Sequence, residues 1–176
     1  MLDDMNVIKQ RDVSDALGVT AKQYEQVDYD VVLEETDNDG RPLNSIVIAG
    51  MGGSALAADV AKSLLAHELA IPLEIVKDYT LPSYVGTHTL VIVSSNSGNT
   101  EETLSCLDQA LERGAQVAIT TTGGELIEVA REKQIMLAPF PHNGQPRMGM
   151  IFNLRAILAI LVQFGLVRQT LLDEMA

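Results

Sequence analysis

From Ser45 onward one pattern repeats along the chain. A short aliphatic and β-branched run is followed by a cluster of glycine, serine or threonine, and then by a longer stretch with helical composition. Ser45-Ile46-Val47-Ile48-Ala49 ends at Gly50 and precedes helix-forming residues over 55–69; a second strand is predicted over 73–76. The third strand, 89–93, runs into Ser94-Ser95-Asn96-Ser97-Gly98-Asn99 and a helix over 100–113, with Gly114 as its stop. A fourth strand over 116–120, a helix over 125–133 after Gly123-Gly124 and a fifth strand over 135–138 continue the alternation. The last element is a long helix from Arg147 or Met148 to Phe164. Its apolar residues spread over more than one stripe, so it is expected to be buried on several sides, against another subunit or a further domain, or as an ordinary packed helix of a monomer.

Uninterrupted apolar strands alternating with helices predict an α/β fold: a parallel sheet covered on both faces and joined by right-handed crossovers. Residues 1–41 break the pattern. Val7, Ile8, Leu17, Val27, Val31 and Val32 fit one or two covering helices, interrupted at Gly18 and Thr20, before a polar connector over 36–42. The expected division is an N-terminal helical segment and connector over 1–41 and one ligand-binding domain over 42–176.

Composition narrows the function. At 176 residues and 47% hydrophobic, the chain supports one core. The formal net charge of −12 is concentrated early, with 11 acids and 3 bases in the first 40 residues, and no basic stripe is available for a nucleic-acid backbone. A small phosphate ester remains compatible, because backbone N–H groups and hydroxyls can hold it. Cys106 stands alone and lies in a predicted helix, so it reads as a packing residue, with no intramolecular disulfide and no thiolate metal cluster. The N-terminus lacks the features of a signal peptide, and the apolar run 156–162 is too short to span a bilayer, so the expected location is cytoplasmic with no membrane partner.

Ligand loops of such sheets lie beyond the carboxyl ends of the strands. Three strand ends carry suitable chemistry. Gly50-Met51-Gly52-Gly53-Ser54 permits close backbone approach at a helix start, with the Ser54 hydroxyl able to bind or to cap. It also reads as Gly-x-Gly-x-x-Ala, a weak dinucleotide signal that needs an acid at the end of the next strand; Glu74 and Asp78 only partly meet that need. Ser94 to Thr100 presents several hydroxyls at a helix N-terminus suited to phosphate, with Glu101 or Glu102 as a reciprocal cap. Thr120-Thr121-Thr122-Gly123-Gly124 either completes a sugar-phosphate pocket or satisfies its own turn. No Gly-x-x-x-x-Gly-Lys-Ser/Thr loop supports an ATPase.

These segments, with Asp78-Tyr79-Thr80-Leu81-Pro82 and Gln145-Pro146-Arg147, resemble in order and spacing the first sugar isomerase (SIS) domain of the bifunctional phosphoglucose/phosphomannose isomerases, from Ile46 to the last helix. The resemblance implies a three-layer αβα SIS-type domain with a central five-stranded parallel sheet. It implies that Ser95, Ser97 and Thr100 bind the substrate phosphate, that Gly52, Gly53 and Ser54 approach the sugar, and that Arg147 stabilises enediolate charge at C1–C2, as a rigid guanidinium can. The implied ligand is a hexose 6-phosphate and the implied reaction aldose–ketose isomerisation, with no cofactor and no metal. Asn96 stands where members often have tyrosine, which affects ring contacts rather than phosphate donors.

In the family a second SIS domain supplies the glutamate base and the histidine. Glu101 and Glu102 read as helix-start residues and His142 as a surface-loop residue, so catalysis is expected to need a second SIS domain, and this chain alone is expected to be inactive; a homodimer through the apolar last helix is a further expected partner. The alternative function is a non-catalytic sugar-phosphate sensor or assembly domain.

Overall fold

The computed structural model describes residues 4–175. Five strands form one sheet: β1 (Ser45–Gly50), β2 (Leu73–Val76), β3 (Thr89–Ser95), β4 (Gln116–Thr121) and β5 (Met136–Pro139). Their order is β2-β1-β3-β4-β5 and every neighbouring pair is parallel. The chain therefore leaves β1 toward one edge of the sheet and, from β3 onward, builds toward the other. The carboxyl ends of β1 and β3 flank the point where that direction reverses, the place where open parallel sheets open a crevice.

The helices are α1 (Met5–Arg11), α2 (Ala16–Ala21), α3 (Gly52–Leu64), α4 (Glu101–Glu112), α5 (Glu125–Lys133), α6 (Met150–Gln163) and α7 (Thr170–Met175). Alternation along each strand decides which layer each residue joins. Ile46, Ile48, Leu90, Ile92, Ala118, Met136 and Ala138 form one core with α3 and α6; Val47, Ala49, Val91, Val93, Ile119 and Leu137 form the other with α4 and α5. The result is the three-layer αβα arrangement expected of the sequence.

The last helix is shorter at its start than the apolar pattern suggests, because Pro146–Gly149 forms a 3-10 turn before α6 begins. Its broad apolar surface is covered within the chain. Residues 153–161 are all buried, packed against α3, α7 and the segment Tyr29–Leu33. The sequence-based reason for expecting a second subunit on α6 is thus met by the chain's own elements.

Arg155 holds two of these covering pieces in place. Buried on α6, it donates from Nε to the Tyr29 carbonyl at 2.6 Å and from Nη1 to the Leu172 carbonyl at 3.3 Å. The N-terminal region is more broken than one or two helices. It comprises α1, α2 and a 3-10 helix over Gln23–Asp28, then an extended stretch that touches β5 through an antiparallel bridge between Glu34 and Leu137. No helix among the described residues is long and apolar enough to cross a membrane.

Candidate functional site

Parallel register aligns the strand ends. Gly50 pairs with Ser94, Ser94 with Thr120 and Ser95 with Thr121, so three polar loops leave the sheet along one rim. Gly50 is required at this point: a Cβ there would lie 2.9 Å from the Ser94 carbonyl oxygen.

The glycine loop after β1 turns directly into α3. Gly52 has φ +52° with open space where a side chain would be. Gly53 instead faces protein, since a Cβ would lie 2.9 Å from both the Arg147 nitrogen and the Pro146 carbonyl carbon. Its close approach is therefore to the Pro146–Gly149 turn. Ser54 is only 4% exposed and does not cap α3; its Oγ accepts from the Asn96 N–H at 3.0 Å. With that oxygen engaged, the hydroxyl proton is what Ser54 has left to donate.

In the loop after β3 the hydroxyls of Ser95, Ser97 and Thr100 converge. Thr100 Oγ1 lies 2.8 Å from Ser95 Oγ and 3.4 Å from Ser97 Oγ, while the N–H groups of Gly98 and Asn99 donate to Ser95 and Ser97. Thr100 is the N-cap residue of α4, but no side chain caps that helix. The reciprocal cap expected from Glu101 or Glu102 does not form. Glu101 accepts instead from the Tyr79 hydroxyl at 3.3 Å, and the charge of Glu102, with burial and Glu101 adding to it, raises the Tyr79 phenol above its ordinary value. The aligned first-turn amides of α4 thus stand beside three hydroxyls without a side-chain partner.

The threonine loop after β4 is used by the protein itself. Thr120 Oγ1 donates to Asn153, Thr121 Oγ1 to the Gly123 carbonyl and Thr122 Oγ1 to the Asn96 carbonyl. Thr121 thus satisfies its own turn, while Thr120 and Thr122 tie the loop to α6 and to the loop after β3. The loop also braces its neighbour. Asn99 Oδ1 accepts from the Glu125 N–H at 2.8 Å at the start of α5, and Leu126 N–H donates to the Gly98 carbonyl. Gly98 (φ +71°) and Gly124 (φ +72°) permit this contact, because a Cβ on either would overlap the facing backbone.

Arg147 sits on the Pro146–Gly149 turn next to Gly52 and Gly53, bordering an open hollow shared with Leu56 and Asp59. It is exposed, and among the described residues its guanidinium has neither a hydrogen bond nor an ion pair, so the side chain stands as a solvent-facing cation. The structure thus gathers Gly52, Gly53, Ser54, Ser95, Ser97, Thr100 and Arg147 around the ends of β1 and β3.

Glu74, the acid a dinucleotide site would want at the strand end, lies in mid-strand opposite Val47 and accepts from the Tyr84 hydroxyl at 2.6 Å. The segment Asp78–Pro82 serves as a strap on α4: the Tyr79 carbonyl accepts from Ser105 and Gln109, and the Pro82 carbonyl accepts from Arg113. Among the described residues no His, Cys, Asp and Glu grouping could hold a metal ion.

Two residues at this rim escaped the sequence reading. Asn153, 3% exposed on α6, joins Ser94 and Thr120 beneath the loops, with its Nδ2 donating to Ser94 Oγ at 3.0 Å and its Oδ1 accepting from Thr120 Oγ1 at 3.0 Å. A lone amide within the apolar run from Met150 to Val162 was the available signal. The other is Gln26, whose segment carried no chemical motif.

The SIS domain family model matches residues 41–167, well over half of the chain. This chain belongs to the SIS domain family. The SIS domain here is 38% identical over 125 residues to a bifunctional phosphoglucose/phosphomannose isomerase of Caldicellulosiruptor bescii, covering 71% of this chain and 37% of that protein. It is 40% identical over 129 residues to the protein of the same name from Aquifex aeolicus, covering 73% of this chain and 40% of the relative. The chain thus spans about two fifths of the length of these relatives. Among solved structures, the C-terminal domain of glucosamine-fructose-6-phosphate aminotransferase from Francisella tularensis shares the fold, with a TM-score of 0.64 at 15% identity, over 90% of this chain and 52% of that one.

Proposed function

We propose that this SIS domain binds the phosphate of a hexose 6-phosphate at the start of α4 and forms the substrate-binding half of a glucose 6-phosphate/mannose 6-phosphate aldose–ketose isomerase. The observation that carries this reading is the convergence of Ser95, Ser97 and Thr100 on a helix start that no side chain caps. A dianion there would receive hydroxyl donors and aligned amides together, a combination that holds phosphate without a lysine. The names of the relatives from C. bescii and A. aeolicus support the substrate class.

In the proposed reaction a base takes the C2 proton of the open-chain aldose. The electron pair left on C2 forms the C1–C2 double bond and the C1 carbonyl oxygen gains negative charge; the C2 hydroxyl proton passes to that oxygen, and the base returns its proton to C1 as the ketose carbonyl forms at C2. Arg147 is the proposed stabiliser of the enediolate oxygen, since its guanidinium is free to turn toward the hollow beside Gly52 and Gly53. Glu101 and Glu102 stand in the first turn of α4, where a bound phosphate would repel them. The base is therefore proposed to come from a second SIS domain, and this chain alone is proposed to bind without turnover.

Isothermal titration of the chain with fructose 6-phosphate tests the reading. Saturable binding is expected, with Ser97→Ala and Thr100→Val each weakening it about tenfold, the loss of a hydrogen bond to a charged group. Unchanged affinity in a combined Ser95→Ala, Ser97→Ala and Thr100→Ala variant that still folds would refute the phosphate cradle. Turnover of fructose 6-phosphate by the chain at an ordinary enzymatic rate would refute the external base. Binding without turnover, in a chain for which no second SIS domain restores isomerisation, would favour a sugar-phosphate sensor.

A further inference from the structure

Arg147 is free at its charged end and held only through its backbone, so whatever fixes that backbone decides where the cation can reach. At the start of the Pro146–Gly149 turn, Met148 N–H donates to the Gln145 carbonyl. The carbonyls of Arg147 and Met148 accept from side chains, two of which lie more than 120 residues away in sequence. Gln26, 3% exposed in the 3-10 helix Gln23–Asp28, donates from Nε2 to the Met148 carbonyl at 2.6 Å and accepts at Oε1 from the Phe152 N–H at 3.4 Å. Gln23 donates to the Arg147 carbonyl itself at 3.2 Å, and Asn143 adds a second donor to the Met148 carbonyl at 3.3 Å. On the opposite side the turn rests against Gly53. One amide side chain thus spans the turn and the first residues of α6, while a second holds the carbonyl of the arginine.

From this geometry we infer that Gln26, assisted by Gln23, is a positioning residue for Arg147, and that the N-terminal segment belongs to the sugar-binding apparatus. The inference rests on the proposed role of Arg147. A side chain that must meet a developing charge needs its backbone held to about half an ångström. An unclamped turn would leave the guanidinium to sample positions from which it misses the oxygen. The hydroxyls and amides at the start of α4 belong to different elements, and none of their hydrogen bonds involves Gln23 or Gln26.

Two probes separate these contributions: inorganic phosphate, which reports the cradle alone, and 6-phosphogluconate, whose C1 carboxylate carries negative charge where an enediolate would. Titration calorimetry on the full chain is expected to show that Arg147→Ala weakens 6-phosphogluconate about tenfold and leaves phosphate unchanged. Gln26→Glu keeps the acceptor for Phe152 and removes the donor to Met148; it is expected to weaken 6-phosphogluconate about fivefold with phosphate affinity intact. Adding Gln26→Glu to Arg147→Ala is expected to cost nothing more. Gln23→Ala, a milder change in a half-buried side chain, is expected to act in the same direction and serves if Gln26→Glu does not fold. Equal weakening of both probes by the glutamine variants, or losses that add to that of Arg147→Ala, would overturn the inference while leaving the reading of Arg147 standing. If Arg147→Ala leaves 6-phosphogluconate binding unchanged, the reading of Arg147 is refuted and the inference with it.

Discussion

Ser54 and Asn96 join the two loops that flank the reversal point of the sheet: the buried Ser54 Oγ accepts from the Asn96 N–H at 3.0 Å. The first residues of α3 are thereby tied to the loop that carries Ser95 and Ser97. Next to Ser54, Gly53 lies against the Pro146–Arg147 backbone. Phosphate-side hydroxyls and the arginine turn are therefore linked through two consecutive residues of the glycine loop, although they lie about 50 residues apart in sequence.

Replacing Ser54 with alanine leaves the buried Asn96 N–H without its acceptor. A loss of about 1–3 kcal/mol in unfolding free energy is expected. Urea denaturation followed by circular dichroism measures it. A variant as stable as the parent would mean that this hydrogen bond does not fix the two loops.

The glycines of the rim separate into two kinds. Gly98→Ala sets a Cβ into the Gly123 carbonyl in a left-handed conformation, so it is expected to cost well above ~2 kcal/mol and to displace the loop. Gly52→Ala meets no neighbouring atom and carries only the left-handed backbone cost, about 1 kcal/mol. Thermal melts of the two variants should rank them in that order, and the reverse order would contradict the packing of the serine loop on the Gly123-Gly124 turn.

Asn153 is expected to act as a unit with Ser94 and Thr120. Asn153→Leu strands both hydroxyls and should cost about 2 kcal/mol, whereas the triple variant Asn153→Leu, Ser94→Ala, Thr120→Val, which removes all the partners, should recover at least half of that loss. Urea midpoints across the series give the answer; strictly additive losses would mean that the three side chains are not coupled.

Cys106 offers a pH test. Burial, with the charge of Asp78 adding to it, pushes its thiol up to about 11 from 9.0, so the native protein holds about 100-fold less thiolate near pH 8 than an ordinary thiol would. Reaction with a disulfide reagent is expected to be slow at pH 8, to rise about tenfold per pH unit toward pH 11, and to become fast at any of these pH values in urea. Rapid labelling of the folded chain at pH 8 would contradict this placement in the core.

Much of the fold is legible because each strand is a continuous apolar run. Leu73–Val76 and Glu125–Lys133 coincide with the expected limits, since a proline precedes the first and Gly124 opens the second. The pattern ends β3 at Val93, but the strand continues through Ser94 and Ser95: parallel pairing with β4 carries it on, and polarity alone cannot reveal that pairing. At α3 the opposite error arises. Gly52 and Gly53 look like loop, yet the helix begins with them, and the helical composition of 65–69 outlasts the helix, which ends at Leu64.

At the site, the residue types were legible and their partners were not. Thr120, Thr121 and Thr122 read as donors for a ligand or for their own turn, and only the positions of Asn153, Gly123 and Asn96 show that one serves the turn and two bind neighbouring elements. Gln26 was out of reach for a related reason: its partners lie more than 120 residues away, and an isolated glutamine in a broken helical segment carries no periodic signal.

Amide resonances provide the most direct measurement on the phosphate site. With the chain labelled with nitrogen-15 and titrated with fructose 6-phosphate, the N–H signals of Ser97, Thr100, Glu101 and Glu102 are expected to shift together along one binding curve, with those of the Thr121–Gly124 loop moving less. Saturation with these signals unmoved, while shifts gather elsewhere on the molecule, would contradict a phosphate held at the start of α4.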